Sequence, residues 1–216
     1  MQWQIAKDLV HYPQAVLEME KRVDDIIASR EAELIWLLEH PDLYTAGTSA
    51  HTDDLLEQNK LPVFQTGRGG QYTYHGPGQR VMYLMLDLKA RAYSKQPDLK
   101  QYIYNLEQLI INTLASFDIV SERKAGRVGI WVTDTSGQEA KIAAIGIRVR
   151  KWVTYHGIAI NLNPNLEHFR GIIPCGLKDF GVTSIHKLGK NISMLSLDEE
   201  LKRQFEVVFA NSYPCA

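Results

Sequence analysis

Apolar residues in this chain gather into runs of strand length, and no run reaches the 18 or more residues of a membrane helix, so the hydrophobic sequence asks for a sheet. The densest run is Arg80-Val81-Met82-Tyr83-Leu84-Met85-Leu86-Asp87-Leu88. Residues 33–38 and 62–66 form shorter runs, and 140–149 and 153–162 form two more. Between them lie two segments of helical period. In 15–27, Val16, Met19, Val23, Ile26 and Ile27 share a face behind Pro13, and from Pro97 onward Leu99, Ile103, Leu106, Ile110, Leu114 and Phe117 do the same. A short helix is expected at 53–58 after Thr52, and a last one after the capping box Ser196-Leu197-Asp198-Glu199. The pattern predicts an α+β fold, a mixed, largely antiparallel sheet flanked by helices. With no repeat or long linker, residues 1–216 read as one domain with a loop-rich stretch at 163–181.

Composition narrows the functional classes. Twenty-four Lys and Arg balance 25 Asp and Glu for a net charge of -1, which offers no global field for nucleic acid or an anionic membrane. The start, Met1-Gln2-Trp3-Gln4-Ile5-Ala6-Lys7-Asp8, lacks the features of a secretory signal, and a reducing, soluble compartment is expected. The two cysteines, Cys175 and Cys215, can make neither a disulfide framework nor a Cys-x-x-Cys site. The histidines outside the glycine-rich stretch show no metal-ligand spacing, so no metal is expected.

Three constellations could carry chemistry. The first is Gly67-Arg68-Gly69-Gly70-Gln71-Tyr72-Thr73-Tyr74-His75-Gly76-Pro77-Gly78-Gln79, whose five glycines allow close backbone approach to a ligand but match no phosphate-binding spacing. Composition alone equally fits a flexible hairpin loop; an Arg, a His and two Tyr among small residues favour a site. The second is Lys141. In a regular strand its period places it with Ala143, Ile145, Ile147 and Val149, so it is either a strand-end lysine snorkelling to water or a lysine in a partly desolvated cleft. The third is Cys175, between Pro174 and Gly176, which reads either as a small buried hydrophobe or as a thiolate beside a cation such as Lys141 or His75.

Taken together, the stretch 68–79, Lys141-Ile142-Ala143-Ala144-Ile145-Gly146-Ile147, Trp152-Val153-Thr154-Tyr155-His156-Gly157-Ile158-Ala159-Ile160-Asn161, Ile173-Pro174-Cys175-Gly176 and His40-Pro41-Asp42-Leu43-Tyr44-Thr45-Ala46-Gly47 resemble the signatures of the lipoyl(octanoyl) transferases. Asp42 stands where a second proline is common in that family. The resemblance implies the fold of the biotin and lipoate protein ligases and a cytoplasmic enzyme without a cofactor. It implies transfer of octanoate from octanoyl acyl carrier protein to a lysine of the lipoyl domains of 2-oxoacid dehydrogenase complexes and of the glycine cleavage H protein. Nucleic acid and membrane are not expected as partners. In this resemblance Cys175 corresponds to the acyl-thioester nucleophile and Lys141 to the residue that lowers its pKa. Substrate contacts fall on Arg68, Gly69, Gly70, Gln71, Tyr72, Thr73, Tyr74 and His75, on Ala144, Ile145 and Gly146, and on Gly157, Ile158 and Ala159.

The chemistry suits these residue types. A neighbouring cation lowers a thiol from its free value of about 8.5 by roughly 1–3 units and makes thiolate abundant near neutrality. Lys141 can then shuttle the proton between two half-reactions, and the backbone N–H groups of Cys175 and Gly176 are candidate oxyanion donors, since Pro174 has none. Arg123, Lys124, Arg127, Arg148, Arg150 and Lys151 are expected to form a local field for acidic protein substrates. Three other readings stay open: an ATP-dependent ligase on the same fold, a silent acyl-protein binding module, and a thioester hydrolase.

Overall fold

The structure is a computed structural model that describes residues 1–91, 96–134, 137–173 and 181–210. Among the described residues, eleven strands and three α-helices run in chain order: β1 (Gln2–Ile5), α1 (Tyr12–Ile27), β2 (Leu34–Leu38), β3 (Leu43–Ala46), β4 (Val63–Gln65), β5 (Tyr72–His75), β6 (Gln79–Met85), α2 (Leu99–Ala115), β7 (Glu122–Lys124), β8 (Arg127–Thr133), β9 (Glu139–Arg150), β10 (Val153–Asn161), β11 (Gly181–Val182) and α3 (Met194–Ala210). The main sheet has the order β1-β2-β6-β10-β9-β8-β7, with β11 added to β9. Its pairs are antiparallel except β1 with β2 and β11 with β9. A second sheet, β4-β3-β5, stands apart from it. The expected α+β class with a mixed, largely antiparallel sheet is what the chain forms.

Strand alternation sorts the central residues onto two faces. Ile35, Leu37, Met82, Leu84, Ile158 and Ile160 pack under α2 and α3. Leu34, Trp36, Leu38, Val81, Tyr83, Met85, Tyr155 and Ala159 pack on the other side, against the Ala15, Met19, Val23 and Ile26 stripe of α1. Because β2 and β6 are buried on both faces, they read as continuous apolar runs rather than alternating ones.

Several local expectations differ. The helix expected at 53–58 is a single 3-10 turn, Thr52–Asp54. The glycine-rich stretch contains the strand β5, fully buried and paired with β3. The last helix starts ahead of the expected capping box, because the Ser193 hydroxyl accepts the Ser196 N–H at 3.0 Å. That places Asp198 inside the helix, where it pairs with Arg80 of β6, Nε to Oδ1 at 2.7 Å. Burial pushes the Asp198 carboxyl up to about 6 against the pull of that guanidinium.

Candidate active site

A β-bulge places Lys141. Ile130 stands opposite Ala143 and Trp131 opposite Lys141, one step on β8 against two on β9. Ile130, Val132, Ile142 and Ala143 all join the core under α2 and α3, so Lys141 turns to the opposite face with its register partner Trp131. This corrects the regular alternation, which put Lys141 with Ala143, Ile145, Ile147 and Val149. The lysine does not snorkel outward: it is 7% exposed, with Nζ 5.7 Å from the Trp131 ring centroid. Gly129 makes the space. Its φ is +111°, and a Cβ there would overlap Cε of Lys141 and the carbonyl oxygen of Ala143.

On this same face lies a cleft between the two sheets. Its floor includes Ala144, Ile145 and Gly146 of β9 and Gly157, Ile158 and Ala159 of β10, and its roof includes Arg68, Gly69, Gly70, Gln71, Tyr72, Thr73 and His75. The floor is kept low at Gly146, where a Cβ would stand 3.1 Å from Cδ of Arg68 and 3.2 Å from the Gly69 carbonyl oxygen in the roof; its register partner Gly157 meets the Met82 carbonyl and the Leu84 side chain instead. The cleft adjoins a recess lined by Lys141, Gln79 and Asn161, and Thr73, Ala144 and Ala159 line both. Thus thirteen of the fourteen expected substrate contacts surround one space that borders the expected catalytic lysine. Tyr74 is the exception. Its ring packs on Phe169 at 5.1 Å, and its hydroxyl donates to Asp42 Oδ1 at 2.6 Å, on the side of the second sheet away from the cleft.

Arg68 builds the roof. Its guanidinium donates to the Thr45 carbonyl and hydroxyl at 2.8 and 2.7 Å, to the Gln71 carbonyl at 2.9 Å and to the Gly69 carbonyl at 2.9 Å. These bonds hold the glycine stretch in one shape and leave a buried positive charge beside the cleft.

His75, His156 and Tyr83 complete the walls, with His40 behind Tyr83. The Nδ1–H of His40 donates to the Val10 carbonyl at 2.6 Å, so its Nε2 accepts the Tyr83 hydroxyl at 2.7 Å. His156 has a φ of +59° within β10, which turns its ring to the side of Tyr155, where the two stack at 5.3 Å, and it lines the cleft. Burial pulls His40 down to about 4. Burial, then the charges of Arg68 and Arg148, pull His156 down to about 3. Burial and the neighbouring His40 hold His75 well below the usual range. All three are neutral imidazoles at neutral pH.

Cys175 lies outside the described residues, as does Cys215. Of the described residues flanking the Cys175 segment, Val182 pairs with Lys141 and lines the recess, while the Ile173 N–H donates to the Asp54 carbonyl at 2.7 Å. The basic field expected for acidic partners is largely neutralised. Arg123 pairs with Glu107, Lys124 and Arg127 with Glu139, Arg150 with Asp24, and Arg148 approaches Glu20 at 4.0 Å. Sequence reasoning missed Gly129, Trp131 and Tyr83 as parts of the site. It quoted His40, Gln79, His156 and Asn161 within motifs without giving them a role. No group of His, Cys, Asp and Glu suited to a metal occurs among the described residues. Nor is any described helix long and apolar enough to cross a membrane.

Residues 12–206 match the lipoyl protein ligase A/B catalytic domain, and the chain belongs to that family. Solved structures agree on the fold. A bipartite lipoate protein ligase from Thermoplasma acidophilum superposes with a TM-score of 0.69 at 14% identity, covering 96% of this chain and 83% of that one. Biotin protein ligase from Aquifex aeolicus gives 0.51 at 13% identity, over 97% and 68%. The full-length relatives are more specific. The octanoyltransferase of Paramagnetospirillum magneticum is 54% identical over 97% of both chains. That of Rhodospirillum rubrum is 52% identical over 100% of this chain and 96% of its own. The chain is an acyltransferase of this family.

Proposed function

We propose that this chain, as one catalytic unit over residues 1–216, moves an octanoyl group from octanoyl acyl carrier protein to a lysine of lipoyl domains, through a thioester on Cys175. The lipoyl domains of 2-oxoacid dehydrogenase complexes and the glycine cleavage H protein are the acceptors, and the cytoplasm is the compartment. The carrying observation is Lys141, seated in a slot opened by Gly129 in a recess that adjoins the cleft.

Each step has a residue suited to it. The thiolate of Cys175 attacks the carrier thioester carbon, the C–S bond to the pantetheine breaks, and its sulfur leaves with a proton from Lys141. The acceptor lysine, as free amine, then attacks the acyl-enzyme. Its C–S bond breaks, Cys175 leaves as thiolate, and Lys141 recovers the proton that the nitrogen sheds. Thioester replaces thioester in the first half, so no ATP is needed. The octanoyl methylenes, at about 0.8 kcal/mol each when buried, have Val81, Tyr83, Ala144 and Ala159 to lie against.

The test is incubation with octanoyl acyl carrier protein and an unmodified lipoyl domain without nucleotide. The lipoyl domain should gain one octanoyl group on its lysine faster than free octanoate accumulates. Pyrophosphate release from ATP and free octanoate, with no transfer from the carrier, would instead establish the ligase reading.

A further inference from the structure

Gln79 and Asn161 close a hydrogen-bond chain whose direction is fixed at both ends by backbone carbonyls. The Asn161 amide nitrogen donates to the Thr183 carbonyl at 3.0 Å, which leaves its Oδ1 to accept from Gln79 Nε2 at 2.9 Å. Gln79 Nε2 also donates to the Tyr74 carbonyl at 3.2 Å, so the other end of the amide, Oε1, is what meets His75 Nδ1 at 2.7 Å. A carbonyl oxygen only accepts; His75 must therefore carry its proton on Nδ1 and present a bare lone pair on Nε2. All four residues are buried, at 6, 2, 4 and 1% exposure for His75, Gln79, Asn161 and Thr183. The Thr183 N–H in turn donates to the Lys141 carbonyl at 3.0 Å, so the chain ties the cleft roof to the strand of the lysine.

Resting on the octanoyl-transfer reading, we propose that His75 is a further catalytic residue of the second half-reaction: its Nε2 accepts a hydrogen bond from the attacking amine, and Gln79 and Asn161 are the positioning residues that fix it in that state. The proton count suits an acceptor of this kind. The amine brings two N–H groups. One proton goes to Lys141 as the amide forms and the thiolate leaves; the other stays on nitrogen and is the one His75 holds. An imidazole whose basicity is suppressed by burial, by His40 and by the Arg68 charge accepts that bond without taking the proton. The groups facing it are His40 from the end of β2, Arg68 and Gln79 from the roof and β6, and His156 from β10, with Lys141 in the adjoining recess. His40 cannot serve, because both of its nitrogens are already engaged by Val10 and Tyr83.

Two readouts on the whole protein test this. In 15N-histidine-labelled protein at neutral pH, His75 should show the Nδ1–H pattern, and Gln79→Leu should abolish that fixed tautomer. In single-turnover experiments with octanoyl acyl carrier protein and then a lipoyl domain, Gln79→Leu should lower transfer about tenfold more than it lowers acylation, the scale of one lost hydrogen bond in the transition state. His75→Gln keeps a carbonyl acceptor and should retain more of the transfer-to-acylation ratio than His75→Leu; this pair carries the test if Gln79→Leu does not fold. A purely structural role would depress both half-reactions together. An Nε2–H signal for His75, or an unchanged ratio in His75→Leu, would overturn the proposal while acyl-enzyme still formed. Failure of the wild type to acylate would overturn the octanoyl-transfer reading and this role with it, and the spectrum would still report whether the relay exists.

Discussion

The two faces of the central sheet bury polar side chains to a similar depth and use them differently. On the α3 face, Arg80 and Asp198 are each 5% exposed in their side chains and closed on one another at 2.7 Å. Around the cleft on the other face, Lys141, His75 and His156 are 7, 6 and 3% exposed, and the two histidines are kept neutral by burial rather than paired as ions. A buried charge pair satisfies itself and fixes a helix against a sheet. A set of neutral acceptors around one lysine, walled by glycine and alanine, is pre-organised for something that arrives from outside.

The contrast can be broken at its strongest point first. Lys141→Met should cut octanoyl transfer by roughly 10²–10⁴-fold, the usual range for removing a proton-transfer group, with the thermal midpoint nearly unchanged. Single-turnover rates beside a melting curve decide it. Arg80→Met should behave in the opposite way. It strands the Asp198 carboxylate and should cost about 3–5 kcal/mol in urea unfolding, while the activity per folded molecule stays near that of the wild type.

Proton linkage separates the faces by sign. His156 and His40 are depressed in the folded state to about 3 and about 4 from 6.5, so they add stability that is fully present above pH 6.5 and is lost as pH falls through the folded values. Asp198, raised to about 6 from 3.8, works the other way, and stability from this group falls as pH rises between those values. Three depressed histidines outweigh one raised carboxyl, so net stability should climb between about pH 4 and 6.5. His156→Gln should flatten that climb by up to ~1.4 kcal/mol per pH unit, and Asp198→Asn should steepen it; unfolding at stepped pH reads both slopes. The smallest effect belongs to Tyr74→Phe. Losing the bond to Asp42 should cost ~1 kcal/mol of stability and leave transfer rates alone, since Tyr74 faces away from the cleft.

Much of this arrangement was legible before any coordinates. The runs 80–88, 140–149 and 153–162 became β6, β9 and β10. The glycine stretch and the two small-residue strands, read through their resemblance, closed on one cleft. What escaped the sequence was local geometry that residue types do not announce. Alternation assumes an unbroken ladder, so the bulge opposite Ile130 and Trp131 put Lys141 on the wrong face in the sequence reading. The positive φ of His156 hid a cleft residue inside an ordinary strand pattern. Glycines at 67–78 read as loop, although Tyr72–His75 between them is a buried strand completed by a partner more than 25 residues away, β3. The expected docking field is largely neutralised for a related reason: its acidic partners, such as Glu107, Glu139 and Asp24, come from other elements and meet it only in the folded chain.

The most direct measurement of the central claim is the intact mass of the protein after mixing with octanoyl acyl carrier protein. One octanoyl group should appear on the wild type, vanish in Cys175→Ala, and discharge when a lipoyl domain is added. A wild type that gains no mass while still octanoylating the lipoyl domain would contradict the acyl-enzyme path, and an adduct that persists in Cys175→Ala would contradict the choice of nucleophile.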